Sequence, residues 1–328
     1  MNALESIRQR IKPDIEKLNE LIAQSLGSPN PMMNTIVEGY LKSKGKMIRP
    51  ILVILTARMF GSVNDKVMSA AAAVEMLHNA SLIHDDVIDE TKLRRGYATV
   101  NSIWDNHIAV LVGDFFTATA LHHALSTDDI RIADVISALG RKLALGEIDQ
   151  ISTARDHLLS EEAYFKIISN KTASLFVSCV RMGAYAVGVD DERLKAMEAY
   201  AELLGLCFQI KDDIFDYFSD EKIGKPTGND LREGKVTLPL LYALSRTDLP
   251  QQPEMLRLTH QEELTPEEIN TLIDYAKQAG GIDYAYATMA HLRDKATEII
   301  AAIPEGPNST EAKTDFTALF DFIIHRDH

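Results

Sequence analysis

The segment from Ser69 to Asp89, SAAAAVEMLHNASLIHDDVID, predicts one long helix that ends in an acidic cluster. It contains no Gly or Pro, Ser69 is suited to an N-cap, and the alanine run that follows has the highest helix propensity. Asp85 and Asp89 are four residues apart, so their carboxylates lie on one helix face. Like charges at this spacing and anions at a helix C-terminus both cost stability. A hard divalent cation with oxygen ligands would compensate for this cost, and a solvated acidic helix end is the alternative.

The pattern D-D-x-x-D occurs a second time, at Asp212, Asp213 and Asp216, where another apolar helical stretch ends. A glutamate stands ten residues before the first aspartate in both copies, at Glu75 and Glu202. This parallel indicates either an internal duplication or two helices with the same task. Two such clusters are harder to explain as solvated helix ends than one, so the second copy favours a metal site.

Composition and charge narrow the class of protein. The chain has 328 residues, 46% of them hydrophobic, and a net charge of −14. Nucleic-acid binding needs a basic face, so we expect no nucleic-acid partner. Helical segments between short Gly, Pro and Asp breaks, without alternating strand patterns, predict an all-α fold. We expect a single domain over residues 1–328, a bundle of roughly a dozen helices around a central cavity.

The sequence also predicts the compartment and part of the interior. The N-terminus lacks a signal sequence, and no apolar run approaches about 18 residues, which predicts a cytoplasmic protein without a transmembrane segment. Cys179 and Cys207 have no metal-like spacing and lie among apolar residues, which predicts buried free thiols. We expect Trp104 in the core. His122 and His123 are adjacent, cannot share a helix face, and are expected to hold no metal.

Basic residues recur near the two acidic clusters. Lys46 and Arg49 belong to the segment GKMIRP, just before a strongly apolar helix whose N-terminus itself attracts anions. Arg94 and Arg95 follow the first cluster. They are either its salt-bridge partners or hold an anion whose other side faces a metal.

A second group of basic residues follows further along the chain. Lys171 and Thr172 lie in an otherwise apolar helix, where a lysine is uncommon unless it has a partner. The stretch over residues 219–239 is rich in Gly and Pro and carries Lys225 and Lys235. Long loops of this kind are usually lids or binding loops, so this stretch predicts a lid that closes over a phosphate group.

Taken in order, these motifs resemble those of the all-trans polyprenyl diphosphate synthases. The matching segments are GKMIRP (45–50), DDVID (85–89) with its double arginine, KT (171–172), FQIKDDIFD (208–216), GKP (224–226) and EGKVTLP (233–239). Each motif alone is moderate evidence, whereas the ordered set, from roughly Lys42 to Pro239, is strong.

The resemblance implies the isoprenoid synthase fold and a prenyltransferase that adds isopentenyl diphosphate head to tail onto an allylic diphosphate. It implies three Mg²⁺ ions per active site, which Mn²⁺ can replace. It also implies a homodimer, and product release at a membrane surface is compatible with it.

The resemblance also implies a role for each matching residue. Mg²⁺ would be bound by Asp85, Asp89 and Asp212. Assistance through waters and hydrogen bonds would come from Asp86, Asp213 and Asp216. The allylic diphosphate would be held by Arg94, Lys171, Lys225 and Lys235. Isopentenyl diphosphate would be held by Lys46, Arg49, His78 and Arg95. The reacting carbons would be lined by Thr172 and Gln209.

Residues before the first cluster bear on product length. Short-chain relatives often carry bulky aromatics four or five residues before the first aspartate, where this chain has Ser81 and Ala80. Leu77 and then Val74 lie further along that face, and each helical turn rises about 5.4 Å, the length of one isoprene unit. Small residues at the top would leave a tunnel open. Together with the segment GEIDQ (146–150), this resemblance favours a product longer than geranylgeranyl, as in the octaprenyl-type synthases.

Three alternatives stay open. The chain could be a short-chain farnesyl or geranylgeranyl synthase, a terpene cyclase or head-to-head condensing enzyme, or a non-catalytic subunit of a heteromeric synthase. Cyclases need no isopentenyl site, and a non-catalytic subunit should have lost its acidic clusters, whereas this chain keeps both. Of the basic C-terminal tail seen in some short-chain relatives only Arg326 remains, so we expect no tail contribution to isopentenyl binding.

Overall fold

A computed structural model describes residues 3–42, 45–94, 96–155, 159–218, 227–261, 263–304 and 308–326. Its described part contains seventeen α-helices, six of them eight residues or shorter, one π-helical turn and one hairpin of two-residue strands. The eleven longer helices agree with the expected bundle, and the all-α prediction is confirmed.

The elements of the N-terminal part are α1 (Ala3–Arg10), α2 (Lys12–Ser25), α3 (Pro31–Lys42), α4 (Ile48–Phe60), α5 (Asp65–Ile88), β1 (Leu93–Arg94), β2 (Tyr97–Ala98), α6 (Val100–Ile103) and α7 (Asn106–Leu125). The middle elements are α8 (Ile130–Arg155), α9 (Glu161–Ile168), the π-helical turn Ser169–Ala173, α10 (Ser174–Ala186) and α11 (Asp191–Phe215). The remaining helices are α12 (Asn229–Arg232), α13 (Leu238–Ser245), α14 (Gln252–Leu258), α15 (Pro266–Gln278), α16 (Gly281–Ala302) and α17 (Ser309–His325).

The chain forms two compact units. Unit 1 comprises Met1–Arg141, Leu175–Ala199 and Ile300–Leu319. Unit 2 comprises Lys142–Ser174, Tyr200–Ile299 and Phe320–His328. The single domain over residues 1–328 stays a prediction.

Helix α5 is the centre of unit 1 and carries the first acidic cluster at its C-terminal end. It begins at Asp65, not at Ser69, because the Asn64 side chain caps it by accepting a hydrogen bond of 3.0 Å from the Val67 amide. The alanine run over residues 70–73 is fully buried. Its small side chains let α4, α2 and α7 pack closely against α5.

The N-terminal stripe of apolar residues is also part of the core of unit 1. Leu4, Ile7, Ile11, Ile15 and Leu18 are all buried. They recur at helical spacing along α1 and α2, so both helices turn one apolar face inward.

Helix α7 runs against α5 at close range. A Cβ atom on Gly113 would lie 2.2 Å from Nε2 of His84, so a larger residue there would require the His84 ring to move. With 20 residues and a mean hydropathy of 1.4, α7 is the one helix in the described ranges that could cross a membrane by length and composition. In this structure 44% of its most apolar window is buried within the protein.

The prediction that Trp104 belongs to the core is wrong. Asp105 caps α7 by accepting a hydrogen bond of 2.8 Å from the Ile108 amide, so the chain breaks directly after Trp104. The tryptophan consequently ends the short helix α6, and 38% of it is exposed.

The two cysteines are free and buried, as predicted. Burial raises the pKa of both thiols, that of Cys207 to about 12. Cys179 and Cys207 are therefore protonated and inert at neutral pH.

His123 provides a pH-dependent contribution to the stability of unit 1. Its Nε2 atom lies 2.7 Å from Oγ of Ser25. Burial, followed by repulsion from His122, lowers its pKa. The unfolded chain binds a proton near the ordinary pKa of about 6.5, whereas the folded chain does so only at lower pH. The stability from neutral His123 is therefore present above about pH 6.5 and is lost as the pH falls toward the folded pKa.

We expect the free energy of unfolding to decrease between about pH 7 and pH 5, and to decrease less steeply in His123→Asn. The upper limit for one such group is about 1.4 kcal/mol per pH unit. Urea unfolding at several pH values measures it. His107→Asn, on an exposed histidine of the same helix, is the control and should keep the native slope. An unchanged slope in His123→Asn would contradict the assignment.

Candidate active site

In unit 1 the first acidic cluster is held at the end of α5 by the segment that follows. The Asp89 amide donates to the Asp85 carbonyl at 2.8 Å and ends the helix. The Asp86 carbonyl accepts hydrogen bonds from the Thr91 amide at 2.9 Å and from Nδ2 of Asn101 at 3.0 Å. These contacts satisfy carbonyls that a helix end leaves open, and they hold the aspartates in place.

Arg94 contacts the first acidic cluster in this structure. Its Nε and Nη2 atoms lie 2.8 and 2.7 Å from Oδ1 of Asp86, so Arg94 is the salt-bridge partner of the first cluster. The β1–β2 hairpin, which pairs Arg94 with Tyr97 and turns at Gly96 with φ +80°, sets its position. Arg95 lies outside the described residues.

The three aspartates of this cluster differ in exposure. Asp86 is buried beside Arg94, Asp85 is half-buried and Asp89 is exposed. Asp85 and Asp89 are therefore the two carboxylates of this cluster that a ligand reaches from solvent.

Three residues assigned to isopentenyl diphosphate also belong to unit 1. Lys46 is exposed just before α4, and the half-buried Arg49 lies in the first turn of that helix. The Arg49 guanidinium lies 5.9 Å from the centre of the Phe176 ring. His78 is buried in α5. Met47, between the two cations, takes a left-handed conformation with φ 51°, which turns the chain sharply into α4.

In unit 2 the second acidic cluster is divided into three environments. Asp213 is buried, and its two carboxylate oxygens accept hydrogen bonds of 2.6 Å from the Tyr164 hydroxyl and 2.8 Å from Nε2 of Gln209. Burial raises the pKa of Asp213 to about 7, although both hydrogen bonds lower it. Asp216 accepts from the backbone amides of Asn229 and Asp230 at 2.9 and 3.0 Å. It thereby anchors the chain that leads to Lys235.

Asp212 is the accessible member of the second cluster, with 40% of its side chain exposed. Arg326 lies 2.5 Å from its Oδ1 atom. The Arg326 side chain is 93% buried, and its guanidinium packs over the Phe208 ring at 4.1 Å and donates to the Phe208 carbonyl at 3.0 Å. The C-terminal arginine thus contacts the second acidic cluster, a role that the sequence did not suggest.

Lys171 has the partners that its apolar context predicted. Its Nζ atom lies 2.5 Å from Oε2 of Glu147 and 3.1 Å from Oε1 of Gln150. A Cβ atom on Gly146 would lie 3.3 Å from the Lys171 backbone, so glycine lets α8 approach the π-helical turn. Thr172, the next residue of that turn, donates to Oε1 of Gln209 at 2.6 Å.

A cavity of about 160 Å³ in unit 2 brings several of these side chains together. The predicted site residues that line it are Lys171, Thr172, Gln209, Asp213 and Lys235. Tyr164 and Asp230 also line it, and sequence reasoning missed both. Lys235 pairs with Glu233, and its amide donates to the Asp230 carbonyl at 2.8 Å. Lys225 lies outside the described residues.

Each acidic cluster suits a magnesium ion whose coordination shell is completed by a substrate. No group of three or more His, Cys, Asp or Glu side chains within the described ranges could hold a metal by itself. Mg²⁺ does not need such a cage, because it usually takes one or two carboxylates and completes its shell with phosphate oxygens and waters. Asp85 and Asp89 in unit 1, and separately Asp212 in unit 2, offer the carboxylate oxygens that Mg²⁺ prefers.

Comparison with known proteins places these observations in a family. A family model named polyprenyl synthetase matches residues 30–276. The chain belongs to the polyprenyl synthetase family. It is 32% identical over 305 residues to octaprenyl diphosphate synthase of Escherichia coli (strain K12), covering 93% of this chain and 94% of that protein.

Solved structures of this family have the same fold. A polyprenyl synthase from Caulobacter crescentus CB15, complexed with calcium and isoprenyl diphosphate, has a TM-score of 0.90 and 33% identity, covering 99% of this chain and 98% of that chain. A geranylgeranyl pyrophosphate synthase from Bacteroides thetaiotaomicron has a TM-score of 0.84 and 37% identity, covering 99% of this chain and 100% of that chain. The predicted family, isoprenoid synthase fold and prenyltransferase activity are confirmed.

Proposed function

We propose that this polyprenyl synthetase extends an allylic diphosphate by head-to-tail addition of isopentenyl diphosphate, and makes an all-trans product longer than geranylgeranyl. The observation that carries the proposal is the cavity of unit 2, where Lys171 and Lys235 line the same space as Gln209 and Asp213 of the second acidic cluster. Two lysines beside an acidic motif suit a diphosphate that is bound by cations and by metal. The similarity to an octaprenyl diphosphate synthase supports the longer product.

The proposed metal is Mg²⁺, three ions per active site, with Mn²⁺ as a substitute. Asp85, Asp89 and Asp212 would bind it together with the allylic diphosphate. When bound, it would withdraw negative charge from the departing diphosphate. The Caulobacter crescentus structure is complexed with calcium, another oxygen-seeking divalent cation, which supports the use of a divalent metal.

The cationic side chains would act on the bond that breaks. Arg94, Lys171, Lys225 and Lys235 would hold the allylic diphosphate and stabilise the charge that develops on it as the carbon–oxygen bond ionises. Lys171 is oriented for this by Glu147. A lid over residues 219–239 would exclude water, which would otherwise quench the allylic cation.

Thr172 and Gln209 would face the cation through their oxygen atoms. The Gln209 amide nitrogen donates to Asp213 and its oxygen accepts from Thr172, so this chain of hydrogen bonds determines which way the amide points. The isopentenyl double bond would attack the allylic carbon. The released diphosphate, still held by the cations, is the proposed base for the proton that leaves.

A product assay tests this function. The purified chain is incubated with labelled isopentenyl diphosphate, Mg²⁺ and geranyl, farnesyl or geranylgeranyl diphosphate, and the products are sized by chromatography. We expect products longer than geranylgeranyl. A geranylgeranyl product would favour the short-chain alternative, which the Bacteroides thetaiotaomicron structure supports. Inactivity of the chain alone would favour the non-catalytic subunit.

The proposed isopentenyl site comprises Lys46, Arg49, His78 and Arg95. We expect Arg95→Ala to raise the KM for isopentenyl diphosphate about 10- to 100-fold, the size of a lost hydrogen bond to a charged group, with a smaller effect on the allylic substrate. Steady-state kinetics with each substrate varied in turn measure it. Lys92→Ala, an exposed cation three residues earlier, is the control. An unchanged KM in Arg95→Ala would contradict the assignment of Arg95 to the isopentenyl site.

We also propose a cytoplasmic homodimer that releases its product at a membrane surface. Unit 1 exposes large apolar side chains along and beside α7, including Trp104, Leu111, Leu121, Leu125 and Ile130. Exposed apolar patches mark interaction surfaces, and a second copy of the chain is the proposed partner. Sedimentation equilibrium, which measures the mass of the assembly, tests whether the chain forms a homodimer.

A further inference from the structure

We propose that Tyr164 is a positioning residue of the second acidic motif, which fixes Asp213 and thereby the relative placement of Asp212 and Lys171. The inference rests on the proposed function, because it assumes that Asp212 binds metal and Lys171 binds diphosphate. It adds a residue that no sequence motif identified.

The contact itself is short and shielded from solvent. Tyr164 lies in α9, is buried, and donates its hydroxyl proton to Oδ2 of Asp213 at 2.6 Å. Gln209 donates to the other oxygen, Oδ1, at 2.8 Å. Asp213 is itself buried, so both of its oxygens point at protein donors. The Asp213 carboxylate is therefore held in one position in α11, and we call Asp213 with these two donors the junction.

The junction is connected to the diphosphate-binding segment at two places. Tyr164 stands in α9, and Thr172 stands in the π-helical turn that directly continues it. Thr172 donates to Gln209, Gln209 donates to Asp213, and Tyr164 donates to Asp213. The segment 161–173 is therefore bonded to α11 at both ends, through one continuous chain of hydrogen bonds.

Lys171 and Asp212, which these hydrogen bonds position, are each next in sequence to a residue that forms them. Lys171 precedes Thr172 in the π-helical turn, and Asp212 precedes Asp213 in α11. π-helical turns inside helices occur frequently at functional sites. If the Tyr164 hydroxyl is removed, the α9 end of the segment loses its bond to α11, so the spacing between lysine and carboxylate is no longer held at that end.

Tyr164→Phe removes one oxygen atom and keeps the ring, which makes it the decisive variant. We expect the half-saturating Mg²⁺ concentration to rise about 10-fold or more, as for other residues that orient metal ligands. The Mg²⁺-dependent affinity for an unreactive thiolo analogue of farnesyl diphosphate, measured by calorimetry, should fall by the same factor. The KM for isopentenyl diphosphate should change less.

Tyr275→Phe is the matched control. Tyr275 is also buried in unit 2, and its hydroxyl donates to the Ala243 carbonyl at 2.9 Å, away from the acidic motif. We expect both variants to lose thermal stability and only Tyr164→Phe to lose Mg²⁺-dependent binding. If Tyr164→Phe lowers the thermal stability but leaves Mg²⁺-dependent binding unchanged, as we expect for Tyr275→Phe, then Tyr164 is only structural and the inference is overturned.

A double-mutant cycle with Asp213→Asn tests whether Tyr164 acts through Asp213. We expect the two substitutions together to weaken Mg²⁺-dependent binding hardly more than Asp213→Asn alone, because contacting residues are not additive. If the fold-change in the double variant equals the product of the fold-changes in the two single variants, the inference is overturned. A native chain that neither turns over substrate nor binds the analogue overturns the proposed function and this inference with it. An active native chain with an unaffected Tyr164→Phe overturns the inference only.

Discussion

Asp85→Asn should lower kcat by about 10²- to 10³-fold, the scale seen when a group that stabilises transition-state charge is removed. Asp85 is half-buried in the last turn of α5, whereas its neighbour Asp86 is bound by Arg94. The amide keeps the size of the carboxylate but loses the charge that would bind Mg²⁺. Steady-state incorporation of labelled isopentenyl diphosphate, measured over a range of Mg²⁺ concentrations, gives the effect.

The control for this result lies in the same helix. Asp65 is in the first turn of α5, exposed, and 2.7 Å from the Lys17 ammonium. Asp65→Asn removes the same charge at the opposite helix end and should leave kcat within about twofold, because surface pairs contribute little. Native activity in Asp85→Asn would remove the first acidic cluster from the proposed metal site.

Ala80→Phe should shorten the product, because a ring at this position would close the face along which the chain is proposed to grow. Ala80 is buried, as are Leu77 and Val74 on the preceding turns, while Ser81 is half-buried. A larger side chain at a buried position typically costs about 1–3 kcal/mol of stability. Ser81→Phe, at a half-buried position, should therefore destabilise the fold less than Ala80→Phe. Chromatography of the products, with farnesyl diphosphate as starter, measures the length.

A graded series separates a shorter tunnel from a damaged fold. Ala80→Val, Ala80→Leu and Ala80→Phe should shorten the product in order of volume, while the unfolding midpoint shows how much stability each loses. Products of native length from a folded, active Ala80→Phe would show that this face of α5 does not determine product length.

Local sequence was sufficient for the elements and for most of the motifs. The helix of the first acidic cluster follows from its propensity and apolar spacing, and the family follows from the order of short motifs. The start of that helix was misplaced, since Asn64 and Ser69 are both good caps and local chemistry does not choose between them. Trp104 was misplaced because Asp105 begins a new helix, a break that apolar periodicity does not reveal.

For contacts inside the site, the sequence can indicate that a residue needs a partner but not which residue the partner is. The apolar context of Lys171 predicts a partner, but Glu147 is 24 residues away and belongs to another helix. Tyr164 is 49 residues from Asp213, and Arg326 is 114 residues from Asp212. No periodicity connects such positions, because packing brings them together.

By itself, the sequence determined the helical class, the two acidic motifs, the cations near them and the family, because these depend on residue type and spacing along the chain. Tertiary structure alone decided which groups surround each of the six aspartates. Asp85, Asp89 and Asp212 keep part of their surface exposed, Asp212 while in contact with Arg326. Asp86 is buried against Arg94, and Asp213 against Tyr164 and Gln209. Asp216 accepts hydrogen bonds from the backbone of α12. The physical reason is that burial and hydrogen bonding depend on residues far apart in the chain, so identical side chains in one motif acquire different environments.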